Sequence, residues 1–131
     1  MSKPAKVELK TILVVDDEVD ICEQIVMSLE LDGYTVLSAF SGNKAFDIMQ
    51  KQPVDAIISD IRMADGTGIE LLERLNLNGS KPNVFFFMTA HSDSDHDELK
   101  KMGADEVFSK PYDLFNVGEK LASSFTGKKS E

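Results

Sequence analysis

"KTILVVDDEVDI", residues 10–21, joins an apolar run directly to a cluster of acids. The run Ile12–Val15 has the length and composition of a buried strand, and Asp16, Asp17 and Glu18 follow it without a break. Like charges held this close repel one another, so the acids require a positively charged partner. The end of this strand is therefore a candidate cation site.

Apolar runs of strand length recur along the chain, with stretches of helical periodicity between them. They are Ile12–Val15, Val36–Leu37, Ala56–Ile58, Val84–Met88 and Val107–Phe108. Near-continuous apolar strands that alternate with helices are typical of a parallel sheet covered on both faces. We expect an α/β fold, a three-layer α/β/α sandwich around a five-stranded parallel sheet, with Phe85–Phe87 in a buried strand.

Local signals predict where several helices begin. Thr67-Gly-Ile-Glu70 matches a capping box, in which a threonine side chain and a glutamate side chain each accept a hydrogen bond from the other residue's backbone. Ser92 and Asp93 are the expected caps of the fourth helix, and Asp113 that of the fifth.

Length and composition favour one intracellular domain. A chain of 131 residues buries roughly two-thirds of its unfolded surface, which is enough for one core. We expect a domain at residues 11–125, with solvated tails at 1–10 and 126–131. No segment is apolar enough to span a bilayer, and Cys22 is the single cysteine, expected in the core and without an internal disulfide. We expect a cytoplasmic protein.

The net charge is −9 at pH 7. A strongly acidic chain is repelled by nucleic acid phosphates and by anionic membrane surfaces. We therefore expect no direct binding to nucleic acid or to membranes, and cations or basic protein surfaces as partners.

Polar residues stand where four of the predicted strands end. Asp16 and Asp17 follow the first strand, Asp60 the third, Thr89 the fourth and Lys110 the fifth. Open parallel sheets bind ligands beyond the carboxyl ends of their strands. Each residue alone could be a helix cap, a turn residue or a solvated lysine. Together they indicate one site.

Three carboxylates in one site favour a hard divalent cation. Oxygen ligands without a His or Cys cluster suit Mg²⁺, with Mn²⁺ as a possible substitute. A divalent ion, an ammonium group and a hydroxyl around one carboxylate are also what phosphoryl transfer to an aspartate requires. We expect Asp60 to attack phosphorus, with Lys110 and Thr89 contacting the phosphoryl oxygens.

The motifs "LVVDDE", "DAIISDIRM", "FFFMTAH" and "GADEVFSKP" resemble the receiver domains of two-component response regulators, of the chemotaxis type. The resemblance runs from about Thr11 to Phe125. It implies a flavodoxin-like sheet with strand order 2-1-3-4-5.

The resemblance also implies residue roles. Asp60 is the expected phosphoacceptor, and Asp17, Asp60 and the main-chain carbonyl of Arg62 are expected to bind the metal directly. Asp16 would act through a metal-bound water, and the Lys110–Pro111 peptide bond is expected to be cis. The implied partners are a histidine kinase or histidine phosphotransfer protein, and a downstream protein that binds the face of the fourth helix, fifth strand and fifth helix.

The chain departs from the receiver pattern in three respects. Receivers often carry proline where this chain has Ala64 and an Asp-Gly pair where it has Thr67-Gly68, so we expect a more mobile loop after the acceptor. Receivers usually carry Tyr or Phe at the position of Val107, and that ring takes part in switching. Valine leaves the acceptor chemistry intact but alters the expected readout.

Two other functions remain open. A receiver-like binding module that works without phosphorylation is compatible with Val107. An aspartyl-nucleophile phosphohydrolase would use the same groups, although such enzymes have an Asp-x-Asp arrangement rather than Asp16-Asp17-Glu18.

His91 and His96 could mark a second metal site, but their spacing favours a solvated loop and helix start. No effector domain fits in 131 residues, so we expect output through another protein, unless the chain belongs to a longer one.

Overall fold

The computed structural model describes residues 10–90, 95–109 and 113–126, so most of the two predicted tails lies outside it. Within these ranges strands and helices alternate strictly. They are β1 Thr11–Val15, α1 Val19–Leu31, β2 Thr35–Ala39, α2 Gly42–Lys51, β3 Ala56–Asp60, α3 Gly68–Asn78, β4 Val84–Thr89, α4 His96–Lys101, β5 Glu106–Ser109 and α5 Leu114–Thr126. None of the helices in these ranges is both long and apolar enough to cross a membrane.

The five strands form one parallel sheet in the order β2-β1-β3-β4-β5. This confirms the predicted fold and strand order. Val15 of β1 pairs with Ser59 of β3, and Asp60 pairs with Met88 of β4. The carboxyl ends of the three central strands are therefore aligned at one edge.

Helices cover both faces of the sheet, which confirms the three-layer sandwich. Cys22, Ile25 and Leu29 of α1 and Val117 and Leu121 of α5 pack on one face. Leu71, Leu72 and Leu75 of α3, together with Ala45 of α2 and Leu99 of α4, pack on the other. The three consecutive phenylalanines of β4 point alternately to the two faces and are fully buried. The predictions for Cys22 and for the phenylalanine run are confirmed.

An aspartate precedes β3 and another precedes β5, and each fixes the start of a neighbouring strand. Asp55 donates its backbone N–H to the Thr11 carbonyl and accepts the Thr11 N–H on its carboxylate, both at 2.8 Å. Asp105 makes the same pair with Phe85, at 2.7 and 2.8 Å. These reciprocal hydrogen bonds fix the register of the neighbouring strands. The same register aligns the carboxyl ends of the strands at the opposite edge of the sheet.

Two of the three predicted helix caps are confirmed. Thr67 and Glu70 form the complete capping box of α3. The Asp113 carboxylate accepts from the Phe115 N–H at 3.1 Å and from the Asn116 N–H at 3.4 Å.

The predicted cap of the fourth helix is wrong. Asp95 caps α4, its carboxylate accepting from the N–H groups of Asp97 and Glu98 at 3.0 and 3.2 Å. Ser92 and Asp93 lie outside the described residues. Ser92-Asp93-Ser94-Asp95 offers four residues with capping side chains in a row, and their sequence alone does not distinguish among them.

Candidate functional site

The structure brings Asp16, Asp17 and Asp60 together. Each offers one carboxylate oxygen, and these three atoms lie within 4.8 Å of one another. Asp60 is the last residue of β3, while Asp16 and Asp17 follow the end of the adjacent strand β1. Asp16 is buried, Asp60 is half-buried and Asp17 is exposed, so the group opens to solvent on one side.

Backbone groups hold these carboxylates in place. The Ile61 N–H donates to Asp60 Oδ1 at 2.8 Å, and the Glu18 N–H donates to Asp16 Oδ1 at 2.9 Å. The Ala64 N–H makes a longer contact of 3.4 Å with Asp17 Oδ2. Chain segments beyond both β1 and β3 therefore contribute to the arrangement.

Burial and the neighbouring acids make the charged form of Asp60 unfavourable. Burial, followed by the neighbouring Asp16 carboxylate, raises the pKa of Asp60 from 3.8 to about 6. The Ile61 N–H lowers this pKa, and the charges of Asp17 and Glu18 raise it further. An acid whose charged form is disfavoured in this way gains from a nearby cation.

The donor set fits a hard divalent ion. The three residues supply only carboxylate oxygens. Oxygens on opposite sides of a Mg²⁺ ion lie about 4.2 Å apart, because each Mg–O distance is about 2.1 Å. A group of oxygens already within 4.8 Å needs little rearrangement to share such an ion.

Thr89 stands beside this group on the sheet. It is the last residue of β4, fully buried, and lies one residue beyond Met88, the partner of Asp60. Its neighbour across the β4–β5 pair is Ser109, the residue before Lys110. Lys110 and the Lys110–Pro111 bond lie outside the described residues. Arg62 follows Asp60 by two residues, with its side chain exposed.

Gly68 follows the predicted cap Thr67, and its packing against the site is not evident from the sequence. Gly68 donates its N–H to the Ile61 carbonyl at 2.9 Å, and a Cβ added to it would overlap the Asp60 carbonyl oxygen. The same Cβ would lie 2.9 Å from a ring carbon of Phe87. The backbone of α3 therefore supports the phosphoacceptor candidate directly, a contact that no local sequence signal reveals.

Two further residues lie toward β5. Val107 pairs with Phe87, and its side chain is partly buried against the hydrophobic core beneath α2, α3 and α4. The His96 ring contacts the Ser109 hydroxyl, with 3.1 Å between Nε2 and Oγ. His91 lies outside the described residues. The second metal site considered for these histidines gains no support from the described part of the chain.

Comparison with known proteins agrees with this geometry. Residues 12–122 match the response regulator receiver domain family. The chain is 37% identical over 103 residues to response regulator GtcR of Aneurinibacillus migulanus, covering 79% of this chain and 42% of that protein. It is 33% identical over 107 residues to sporulation initiation phosphotransferase F of Bacillus subtilis, covering 81% and 86%.

A solved relative shares both fold and sequence. Response regulator protein TrrA of Thermotoga maritima, in complex with Mg(2+)-BeF, is 28% identical with a TM-score of 0.79, covering 88% of this chain and 99% of that one. The chain spans about half the length of several curated relatives, including transcriptional regulatory proteins. From its family match, its sheet order and its relatives, this chain belongs to the response regulator receiver domains, which are signalling domains.

Proposed function

We propose that this chain accepts a phosphoryl group on Asp60 from a histidine kinase or a histidine phosphotransfer protein. The observation that carries the proposal is the position of Asp60 in a group of three carboxylates at the carboxyl edge of the sheet, beside Thr89. Membership of the receiver family supports the same chemistry.

We propose that the carboxylates of Asp16, Asp17 and Asp60 and the carbonyl of Arg62 hold Mg²⁺, for which Mn²⁺ could substitute. Asp16 would act through a water molecule. When bound, the ion supplies positive charge to the carboxylates and to the oxygens of the incoming phosphoryl group. The raised pKa of Asp60 supports the need for that charge.

The side chains divide the remaining chemistry among them. A carboxylate oxygen of Asp60 attacks phosphorus, the new P–O bond forms, and the P–N bond to the donor histidine breaks. The Ile61 N–H orients the carboxylate by its bond to Oδ1. The Thr89 hydroxyl donates to one phosphoryl oxygen and the Lys110 ammonium stabilises the charge on another.

Output through the α4–β5–α5 face is part of the proposal. Glu106 of β5 lies 3.8 Å from the Lys100 ammonium of α4 and 3.9 Å from the Lys120 ammonium of α5. A downstream protein that binds here would meet charges from all three elements. These exposed pairs are weak and easily rearranged by a partner.

Incubation with acetyl phosphate in the presence of Mg²⁺ or of EDTA, followed by intact mass measurement, tests this proposal. A receiver gains one phosphoryl group with Mg²⁺ and none with EDTA. No adduct under either condition would favour a phosphorylation-independent binding module. Sustained turnover of a generic phosphate ester would favour a phosphohydrolase.

A further inference from the structure

The loop Ile61–Thr67, here called the acceptor loop, lies between the carboxylate group and the first turn of α2. We propose that Asn43, in that turn, is a positioning residue that holds the acceptor loop in the geometry required for Mg²⁺ binding. The inference rests on the proposed function, because it concerns the same metal site.

Asn43 and its neighbour bind the acceptor loop through both side chain and backbone. Asn43 Nδ2 donates to Asp65 Oδ1 at 2.8 Å, and the Asn43 backbone N–H donates to the Asp65 carbonyl at 3.2 Å. The Gly42 N–H donates to the Gly66 carbonyl at 2.9 Å. Three hydrogen bonds thus join two consecutive residues of α2 to two consecutive residues of the loop.

The amide of Asn43 is itself held by α3. Arg74 Nη1 donates to Asn43 Oδ1 at 2.9 Å, and the Arg74 guanidinium lies 3.8 Å from the centre of the Phe46 ring. The amide therefore accepts from one side and donates on the other, which defines its orientation. Asn43 connects α2, α3 and the acceptor loop.

The backbone of the loop is of a kind that needs such support. Asp65 has φ +60° and Gly66 has φ +100°, both in the left-handed region that is unfavourable for a residue with a side chain. The loop backbone also lies close to α2, since a Cβ added to Gly66 would lie 2.8 Å from the backbone nitrogen of Asn43. The Asn43 amide also lowers the pKa of Asp65, with a further contribution from Ser41.

The other side of the same loop touches the metal carboxylates. Ala64, which precedes Asp65, contacts Asp17 through its N–H, and Ile61 binds Asp60 through its N–H. A displacement of Asp65 therefore moves groups that position two proposed ligands. Ala64 lacks the ring that fixes φ in proline, so its own backbone is not restrained in that way. The contacts of Asn43 with Asp65 restrain the loop instead.

The test compares Asn43 with Asn78, since each makes a side-chain hydrogen bond between α2 and α3. Only Asn43 also binds the acceptor loop among the hydrogen bonds described above. Asn78 Nδ2 donates to Gln50 Oε1 at 3.1 Å at the far end of the helix pair, away from the site. Mg²⁺ alone is titrated into the whole chain by calorimetry. Asn43→Ala should weaken Mg²⁺ binding by about three- to tenfold, the equivalent of one net hydrogen bond. Asn78→Ala should leave Mg²⁺ affinity unchanged.

A second pair of variants keeps the test independent of overall stability. Asp65→Asn retains an acceptor oxygen and tolerates the left-handed backbone, so it should bind Mg²⁺ nearly as wild type does. Asp65→Ala should weaken Mg²⁺ binding as much as Asn43→Ala does. The double variant Asn43→Ala/Asp65→Ala should bind Mg²⁺ no more weakly than the weaker of these two single variants. Thermal melts confirm that each variant is folded.

Wild-type Mg²⁺ affinity in Asn43→Ala, or an equal loss in Asn78→Ala, would overturn the positioning role. So would an additive loss in the double variant. If these affinities behave as expected but wild-type protein takes up no phosphoryl group from acetyl phosphate, the positioning role stands and the proposed phosphoacceptor function fails.

Discussion

The carboxylates of Asp16 and Asp60 lie at the ends of adjacent parallel strands, each with an oxygen within 4.8 Å of the other. Asp16 is the nearby charge that most raises the pKa of Asp60, after burial itself. A pair of buried or half-buried acids in this position is unfavourable for folding unless a proton or a cation accompanies it.

Asp60→Asn should therefore stabilise the metal-free protein above pH 7 by about 1–2 kcal/mol, a value reduced for the partial exposure of the group. Because the folded-state pKa of about 6 exceeds the unfolded value of 3.8, wild type loses stability as pH rises through this window. The advantage of the variant should vanish near pH 4. Urea unfolding in EDTA at several pH values measures it, and a pH-independent difference would contradict this explanation.

Mg²⁺ should raise the melting temperature of wild type, because an ion that binds the folded state stabilises it by mass action, by about 2.7 kcal/mol at one hundred times the dissociation constant. Asp17→Ala should lose most of this increment, since it removes a proposed direct ligand. Asp20→Ala, an acid in the first turn of α1 outside the carboxylate group, is the control. Equal Mg²⁺ responses in both variants would argue against Asp17 as a ligand.

Gly68→Ala should destabilise the protein by about 1–3 kcal/mol, because its Cβ overlaps the backbone beneath Asp60. Gly118→Ala provides the matched control. A Cβ at Gly118 would meet only the movable end of the Asp32 side chain, at 3.1 Å, so alanine should be neutral or slightly stabilising in α5. Chemical denaturation of both variants measures the effect, and equal stability changes would show that the close approach at Gly68 is easily relieved.

Beryllofluoride with Mg²⁺, a mimic of the acyl phosphate, should shift amide NMR signals mainly around Asp60, Arg62, Thr89 to Asp93 and Lys110. Changes at Val107 and along α5 should be modest, because Val107 lacks the aromatic ring that takes part in switching in other receivers. A ligand shifts a conformational equilibrium only by its differential affinity for the two states. A large reorganisation of α5 would show that another contact performs this transmission.

Much of the fold could be predicted because its signals are local. Apolar runs such as Ile12–Val15 identify buried strands, and the acids at the ends of β1 and β3 fall at the same sheet edge once these strands are parallel. The convergence of Asp16, Asp17 and Asp60 follows from this pattern. The strand order came from resemblance to a family.

Other features depend on contacts between distant residues and leave no local trace. Asn43 and Asp65 are 22 positions apart, and only the folded chain shows that the first turn of α2 holds the acceptor loop. The cap of α4 is Asp95 rather than the predicted Ser92 and Asp93. Four consecutive residues carry capping side chains, and the sequence does not distinguish among them. The expected mobility of the loop after Asp60 stays a prediction, although the contacts with Asn43 and Gly42 restrain it.

Intact mass measurement after incubation of wild type and Asp60→Asn with acetyl phosphate and Mg²⁺ tests the central proposal most directly. Wild type should gain one phosphoryl group that is stable in acid and lost in base, as expected for an acyl phosphate, and the variant should gain none. A stoichiometric adduct with the same chemistry on Asp60→Asn would contradict the assignment of Asp60 as the phosphoacceptor.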